Sequence, residues 1–107
     1  MNIDRAIHEA EEIFRAAAEA RAEAERLEKI LKHKHAVLFT EFRNAGKGVA
    51  ESEKLAMATE TYASAMNKWA AANGAYRLAE AEAETKRLAF EAWRTENATE
   101  RAKMQLR

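Results

Sequence analysis

The chain contains no cysteine and no proline. A disulfide framework, a thiolate zinc site and a cysteine nucleophile are therefore excluded. Long apolar runs are also missing, since none approaches the roughly 20 residues that a transmembrane helix needs. The opening residues, MNIDRAIHEAEEIF, carry charge in every turn, unlike a secretory signal. These absences predict a soluble protein of the cell interior that does not enter a membrane.

Large core-forming residues are scarce too. Leu, Ile, Val and Phe together number 17 of the 107 residues, whereas alanine alone numbers 26. Ala, Glu, Lys, Leu and Arg make up 68 residues, a composition typical of long helices or coiled coils. Alanine favours helix but buries little area, so we expect a single helical domain, residues 1–107, that gains apolar area by forming a homo-oligomer. The formal net charge is zero, so any nucleic-acid contact requires a local basic patch.

Glycine marks the main turn of the chain. The segment NAGKGV contains Gly46 and Gly48, which adopt positive φ at little cost. We predict a first helix over about residues 3–43, an elbow with a short helix over about 44–58, and a last helix over about 60–104. The expected fold class is all-α, with two long helices joined by a short helical elbow as an antiparallel helical hairpin or coiled coil. Pairing of the long helices within one chain or between subunits is open at this point.

Three further residues concern the details of these helices. Asn2 or Asp4 can cap the first helix, and Thr59 can cap the last. Gly74 lies in the middle of the last helix, where a mild kink, a close crossing by another helix and a tolerated surface glycine are all compatible with the sequence.

The stretch LKHKHAVLF, residues 31–39, places two histidines among lysines. His33 and His35 are two residues apart, about 200° around a helix, so they lie on different faces. A helical metal pair needs a spacing of three or four, and His8 is remote in sequence. The sequence therefore predicts no metal site, and we interpret the histidines as solvated helix positions, with His35 at the edge of the core.

Catalytic patterns are missing as well. Asp4 is the only aspartate, the two serines have no neighbouring histidine, and the glutamates alternate with basic residues. The Gly-x-Gly of AGKG lacks the preceding strand of a phosphate loop. We expect a non-enzymatic protein with no catalytic residue, no cofactor and no small-molecule substrate.

Basic residues concentrate around the elbow, with six of them against three acidic residues between positions 29 and 54. The six are Lys29, Lys32, Lys34, Arg43, Lys47 and Lys54. In a hairpin they share one tip, where they could hold the phosphates of a nucleic acid. The alternative is that lysines near a helix C-terminus only complement the helix dipole.

The C-terminal segment AFEAWRTENATERAKMQLR supplies a second basic set. Arg94, Arg101 and Lys103 are interleaved with Phe90 and Trp93, a mixture that can stack on unpaired bases. Phe90 and Trp93 also follow the apolar spacing of the last helix, so the alternative role is a buried aromatic pair that holds helices together.

Three segments together resemble a known group of proteins: KHAVLFTEF, LAMATETYASAM and FEAWRTENATERAK. Roughly residues 30–101 resemble small all-helical proteins of tailed bacteriophages and prophages. In that group a basic turn on the first helix precedes a glycine-containing elbow, an Ala-Tyr segment opens the second long helix, and a Trp-Arg-Thr/Ser box with a following Arg closes it. The matching positions here are Lys34, Leu38, Ala58, Tyr62, Glu91, Trp93, Arg94, Thr95, Asn97 and Arg101.

By analogy, such proteins resemble UvsY-type recombination mediators, which help a recombinase or annealing protein load on single-stranded DNA. The resemblance implies a cytoplasmic protein of a bacterial host cell that contacts single-stranded DNA, forms a homo-oligomer and acts with a phage recombinase or single-strand-binding protein. The competing hypothesis is a structural helical adaptor or chaperone that binds a protein partner through an Ala-rich coiled-coil surface. An exposed apolar stripe on the isolated chain would favour the adaptor.

Overall fold

The structure, a computed structural model, describes residues 2–106. This part of the chain contains three helices and no strand: α1 spans Ile3–Asn44, α2 spans Val49–Met57 and α3 spans Glu60–Gln105. The all-α class expected from the sequence is confirmed. Met1 and Arg107, the first and last residues of the predicted domain, lie outside the described residues.

Side-chain hydrogen bonds define where the long helices begin. Asn2 Oδ1 accepts a hydrogen bond from the backbone N–H of Arg5 at 3.1 Å. Thr59 Oγ1 accepts from the backbone N–H of Tyr62 at 3.1 Å and donates to the carbonyl of Ala56 at 2.8 Å. Short polar side chains at this position satisfy N–H groups that have no partner inside the helix. Thr59 therefore both closes α2 and starts α3.

The elbow turns through a glycine in the left-handed region. Gly46 has φ of 89°, and its N–H donates to the carbonyl of Arg43 at 3.0 Å. The N–H of Lys47 donates to the carbonyl of Phe42 at 3.1 Å, which completes a Schellman motif at the end of α1. The Arg43 side chain then donates from Nη1 to the carbonyl of Lys47 at 2.9 Å, so the turn is tied to the helix that precedes it.

The two long helices pack side by side within one chain. Near the elbow, the rings of His35 and Tyr62 meet edge to face, with their centroids 5.8 Å apart. Toward the other end, the guanidinium of Arg87 lies 6.0 Å from the centre of the Phe14 ring. As the residue number falls along α1, the number of the facing residue on α3 rises. The helices form an antiparallel hairpin.

Both helices contribute a seam whose positions alternate in steps of three and four residues, the repeat of a coiled coil. All of these positions are buried or half-buried. On α1 the seam consists of Ile3, Ala6, Ala10, Ile13, Ala17, Ala20, Ala24, Leu27, Leu31, Lys34 and Leu38. On α3 it consists of Tyr62, Ala65, Trp69, Ala72, Tyr76, Ala79, Ala83, Lys86, Phe90, Trp93 and Asn97. Alanine is the commonest residue in both rows, and α3 adds five aromatic side chains: Tyr62, Trp69, Tyr76, Phe90 and Trp93.

The molecule is a thin rod of 84 × 23 × 14 Å. Its radius of gyration is 23.5 Å, whereas a compact domain of this length would have about 13 Å. Two helices cannot enclose a core, so the buried apolar residues of the described chain are few and, apart from one leucine, small: Ala10, Ala24, Leu31, Ala56, Ala65 and Ala83. Much of each long helix consequently faces outward.

The last turns of α3 extend beyond α1. The facing positions along the seam place Ile3 level with about residue 94, so α3 continues for roughly 15 Å past the start of α1. From Ala98 to Leu106 every residue is exposed. α2 packs on α1 at the opposite, elbow end of the rod.

α3 passes through Gly74 without interruption. A Cβ atom at this position would meet nothing within 4 Å, so no other helix of the chain crosses closely there. Within residues 2–106, no helix combines the length and the apolar character needed to cross a membrane.

Candidate nucleic-acid interface

The hairpin brings the six basic residues of the elbow to one end of the rod. We call them the elbow set; they lie on the last turns of α1, in the turn itself and on α2. Five of the six are exposed, and only Lys34 is half-buried. They do not share one face, because Lys34 occupies a seam position whereas Lys29, Lys32 and Arg43 lie on the outer side of α1. The set therefore surrounds the tip of the hairpin.

Two members of the elbow set form ion pairs with glutamates one turn away. Lys32 Nζ lies 3.2 Å from Glu28 Oε1, and Lys47 Nζ lies 4.0 Å from Glu51 Oε1. Lys29, Lys34 and Lys54 have no carboxylate within ion-pair distance among the described residues. Exposed pairs of this kind contribute about 1 kcal/mol or less, so a phosphate can replace the carboxylate at small cost.

The second basic set, Arg94, Arg101 and Lys103, lies at the opposite end of the rod. All three side chains are exposed on the part of α3 that runs level with the start of α1 and beyond it. Lys103 Nζ is 3.7 Å from Glu100 Oε1. The helical rise places Lys29 and Arg94, the nearest members of the two sets, roughly 40 Å apart along the rod. A single chain therefore does not unite the two sets in one patch.

The two histidines of the LKHKHAVLF stretch lie in different environments. His33 is exposed on the outer side of α1, whereas His35 is half-buried. The His35 ring stacks on Phe39 with centroids 6.5 Å apart and meets Tyr62 across the seam. The placement of His35 at the core edge is confirmed. Within residues 2–106, no group of three or more His, Cys, Asp or Glu side chains is arranged to hold a metal ion.

The C-terminal aromatics belong to the seam. Phe90 and Trp93 are half-buried, and Phe90 lies beside Ala6 of α1. Their rings are therefore largely engaged between helices. Of the two roles that the sequence left open, the packing role accounts for their position.

An open groove runs along one side of the seam and is lined by Phe14, Arg21, Tyr76, Glu80 and Arg87. The pKa of Tyr76 is raised, mainly by the hydrogen bond of its hydroxyl to the Glu80 carboxylate and to a smaller extent by partial desolvation. On the α1 side, Arg21 Nε donates to Glu25 Oε1 at 3.0 Å. The charged groups of this groove are therefore paired with neighbours on their own helix.

Sequence reasoning missed the outer face of α3. This face, defined here as the positions two residues beyond each seam position together with the next step of the same repeat, is exposed throughout and follows its own three-four repeat. Its members are Ser64, Asn67, Ala71, Gly74, Leu78, Ala81, Thr85, Leu88, Ala92, Thr95, Thr99 and Ala102. None of these twelve residues is charged, whereas nine of the twelve equivalent positions on α1 carry an ionisable side chain. A second helical repeat in the sequence was the signal that could have revealed it.

A buried hydroxyl was missed too. Ser52 on α2 is completely buried, and its Oγ has no hydrogen-bond partner among the described residues. Its neighbour one turn on, Ala56, is also completely buried, so α2 presents small side chains to the end of α1. A small residue is needed at position 52, and the hydroxyl itself has no visible structural use.

Comparisons with protein-family models, with curated proteins and with solved structures gave no match for this chain.

Proposed function

We propose that this chain is a non-enzymatic phage accessory protein that binds single-stranded DNA through the elbow set and assists a recombinase or annealing protein, in the manner of a recombination mediator. The observation that carries the proposal is the concentration of six basic residues, against three acidic ones, toward one tip of a rod whose overall net charge is zero. Phosphate binding by such a tip needs no deep pocket, since lysine and arginine attract the backbone over several ångströms.

A mediator of this kind acts as an assembly of copies. One tip offers only a few phosphate contacts, and non-specific binding by so few contacts is weak at physiological salt. Several tips in one homo-oligomer raise the effective concentration of each for the same strand. We therefore include self-association in the proposal, together with a recombinase or single-strand-binding protein as the partner and the cytoplasm of a bacterial host as the site of action.

The test is fluorescence anisotropy of a labelled single-stranded oligonucleotide, titrated with the protein at several salt concentrations and repeated with a duplex of equal length. We expect tighter binding to the single strand and an affinity that falls steeply with salt. Each phosphate contact should add about 0.7 to the slope of log affinity against log salt for a single strand. Absence of binding at low salt would contradict the proposal.

The matching variant is Lys32→Glu combined with Lys54→Glu. Both side chains are exposed, so reversing their charge leaves the seam intact, whereas Lys34→Glu would also introduce a carboxylate at a half-buried seam position. The control is Arg5→Glu with Arg15→Glu, which makes the same charge change on exposed positions of α1 far from the elbow. Loss of binding in the elbow variant alone supports the elbow set, and equal loss in both would indicate only a general charge effect.

A second candidate function is favoured by the outer face of α3. An adaptor or chaperone that binds a protein partner would present an exposed apolar stripe, and Leu78 and Leu88 are exposed on this face. The two functions differ in what covers the stripe. A mediator covers it with another copy of itself, whereas an adaptor leaves it free for a different protein.

A further inference from the structure

α3 carries two helical repeats on opposite sides, and only one of them is covered. The seam faces α1, while the outer face meets no other element of the described chain. Solvent-facing positions of a coiled coil are normally rich in charge, as they are on α1. In this chain 34% of the residues are charged. A face on which twelve successive positions of the three-four repeat carry no charge is therefore unusual for a surface that stays in water.

The face is long enough for a stable interface. From Ser64 to Ala102 it extends about 57 Å at the helical rise, and a helix contact is about 10 Å wide. Two copies pairing along it would bury roughly 1,200 Å² in total, the lower bound for specific, stable protein–protein interfaces. Its small residues permit close approach. At Gly74, for example, the space beside the backbone is open in the single chain, since even a Cβ atom there would meet nothing within 4 Å.

The arrangement of the large residues selects a register. Leu78 is 76% exposed and Leu88 is 56% exposed. A two-fold axis across the face pairs the two α3 helices antiparallel. Every contact between two different positions then occurs twice, once with each copy supplying each position. When Leu78 meets the partner's Leu88, the three-four repeat also places Ala81 against the partner's Thr85. The two exposed leucines thereby cover each other twice.

Charges beside the face are complementary in the same register. Arg77 lies beside the partner's Glu91, and Lys68 lies beside the partner's Glu96, and each contact occurs twice through the two-fold axis. These four residues form no ion pair within the described chain. One register thus satisfies the leucines and these flanking charges together, while Glu82 and Glu84 each meet their own copy near the axis.

We infer that the outer face of α3 is the interface of an antiparallel homodimer, in which a second copy of the chain packs Leu78 against Leu88 across a two-fold axis. Each α3 then lies between its own α1 and the α3 of the partner. This interface needs no nucleic acid, because every contact that forms it comes from the chain itself.

The dimer has a consequence that rests on the proposed function. In this register the partner's Ala102 lies level with Ser64, so the C-terminal end of each α3 reaches the elbow end of the other chain. Arg101 and Lys103 of one copy therefore join the elbow set of its partner, although the two sets lie at opposite ends of a single rod. Each end of the dimer would present both basic sets to one strand.

The experiment measures the mass of the full chain in solution, without DNA, by sedimentation equilibrium over a range of concentrations. The wild type should sediment as a dimer of the 12.1 kDa chain. Leu78→Glu with Leu88→Glu should give a monomer, because carboxylates then oppose each other twice. Leu78→Glu with Leu88→Lys should restore the dimer, because each carboxylate now meets an ammonium. The control, Ala22→Glu with Ala36→Glu, changes exposed positions of α1 and should leave the dimer unchanged.

Circular dichroism of each variant establishes that its helices remain, so that loss of the dimer is not loss of the fold. A monomeric wild type at tens of micromolar would overturn the inference, and so would a dimer that survives both glutamates. Failure of the Glu/Lys combination to recover the dimer would overturn the antiparallel register. A dimer that does not bind single-stranded DNA would refute the proposed function while leaving the interface supported.

Discussion

Replacing Leu31 with alanine tests whether the seam between α1 and α3 holds the chain together. Leu31 is 8% exposed and is the only buried apolar residue larger than alanine among residues 2–106. Truncating a buried leucine generally costs about 2–5 kcal/mol, depending on the cavity that remains. The seam is only two helices thick, so neighbouring side chains and water can reach the vacated space. The cost should therefore lie at the lower end, about 2–3 kcal/mol.

For a chain of this size, such a loss lowers the melting temperature by roughly 10–20 °C. Thermal and urea unfolding followed by circular dichroism measure it directly. All variants must be compared at one protein concentration, because self-association makes the midpoint depend on concentration. An unchanged urea m-value would show that the substitution altered stability and not the extent of the unfolding transition.

The matched control is Leu106→Ala, the same substitution at a residue that is 89% exposed. It should change the free energy of unfolding by less than about 0.5 kcal/mol. If Leu31→Ala and Leu106→Ala had equal effects, the seam would not be the source of stability, and the hairpin described above would be refuted.

Four further predictions concern single positions. Ser52→Ala should raise the free energy of unfolding by about 1 kcal/mol in urea denaturation, because it removes a buried hydroxyl without a partner. Gly46→Ala should lower it by about 1–2 kcal/mol in the same assay, because φ of 89° strains any residue with a Cβ. Glu80→Gln should lower the pKa of Tyr76 in an ultraviolet absorbance titration, because it removes the carboxylate that raises this pKa. In the wild type, the stability that Tyr76 contributes through its raised pKa is present at neutral pH and is lost as the pH rises through that pKa. Glu82→Gln should lower the dimer Kd about twofold in sedimentation equilibrium, because it removes a like-charge contact near the two-fold axis.

The helix boundaries were accessible from the sequence because their causes are local. Thr59 caps α3 through a hydrogen bond to a residue three positions on, and Gly46 ends α1 through its own backbone angle. The seam of α1 was recognisable for the same kind of reason, since alanine and leucine recur at helical spacing. The observed bounds of Ile3–Asn44 and Glu60–Gln105 lie within a residue or two of those expected.

The candidate site was only partly accessible. Sequence reasoning grouped the elbow set by position along the chain, and the spacing of Leu31 and Leu38 already places Lys34 on the apolar side of α1. It could not say that Arg101 lies at the far end of the rod from the elbow. That fact depends on how α1 and α3 pair, which no local pattern specifies.

The sequence by itself therefore determined the elements of this protein: two long alanine-rich helices, their caps, the glycine turn and the concentration of basic residues around it. These follow from helix propensity, capping and backbone freedom, which act within a few residues. Only the tertiary structure decided that the helices pair antiparallel within one chain, that the two basic sets are separated, and that one uncharged face of α3 is left without a covering element. Such relations join residues distant in the chain, and they arise when the two seams bury each other.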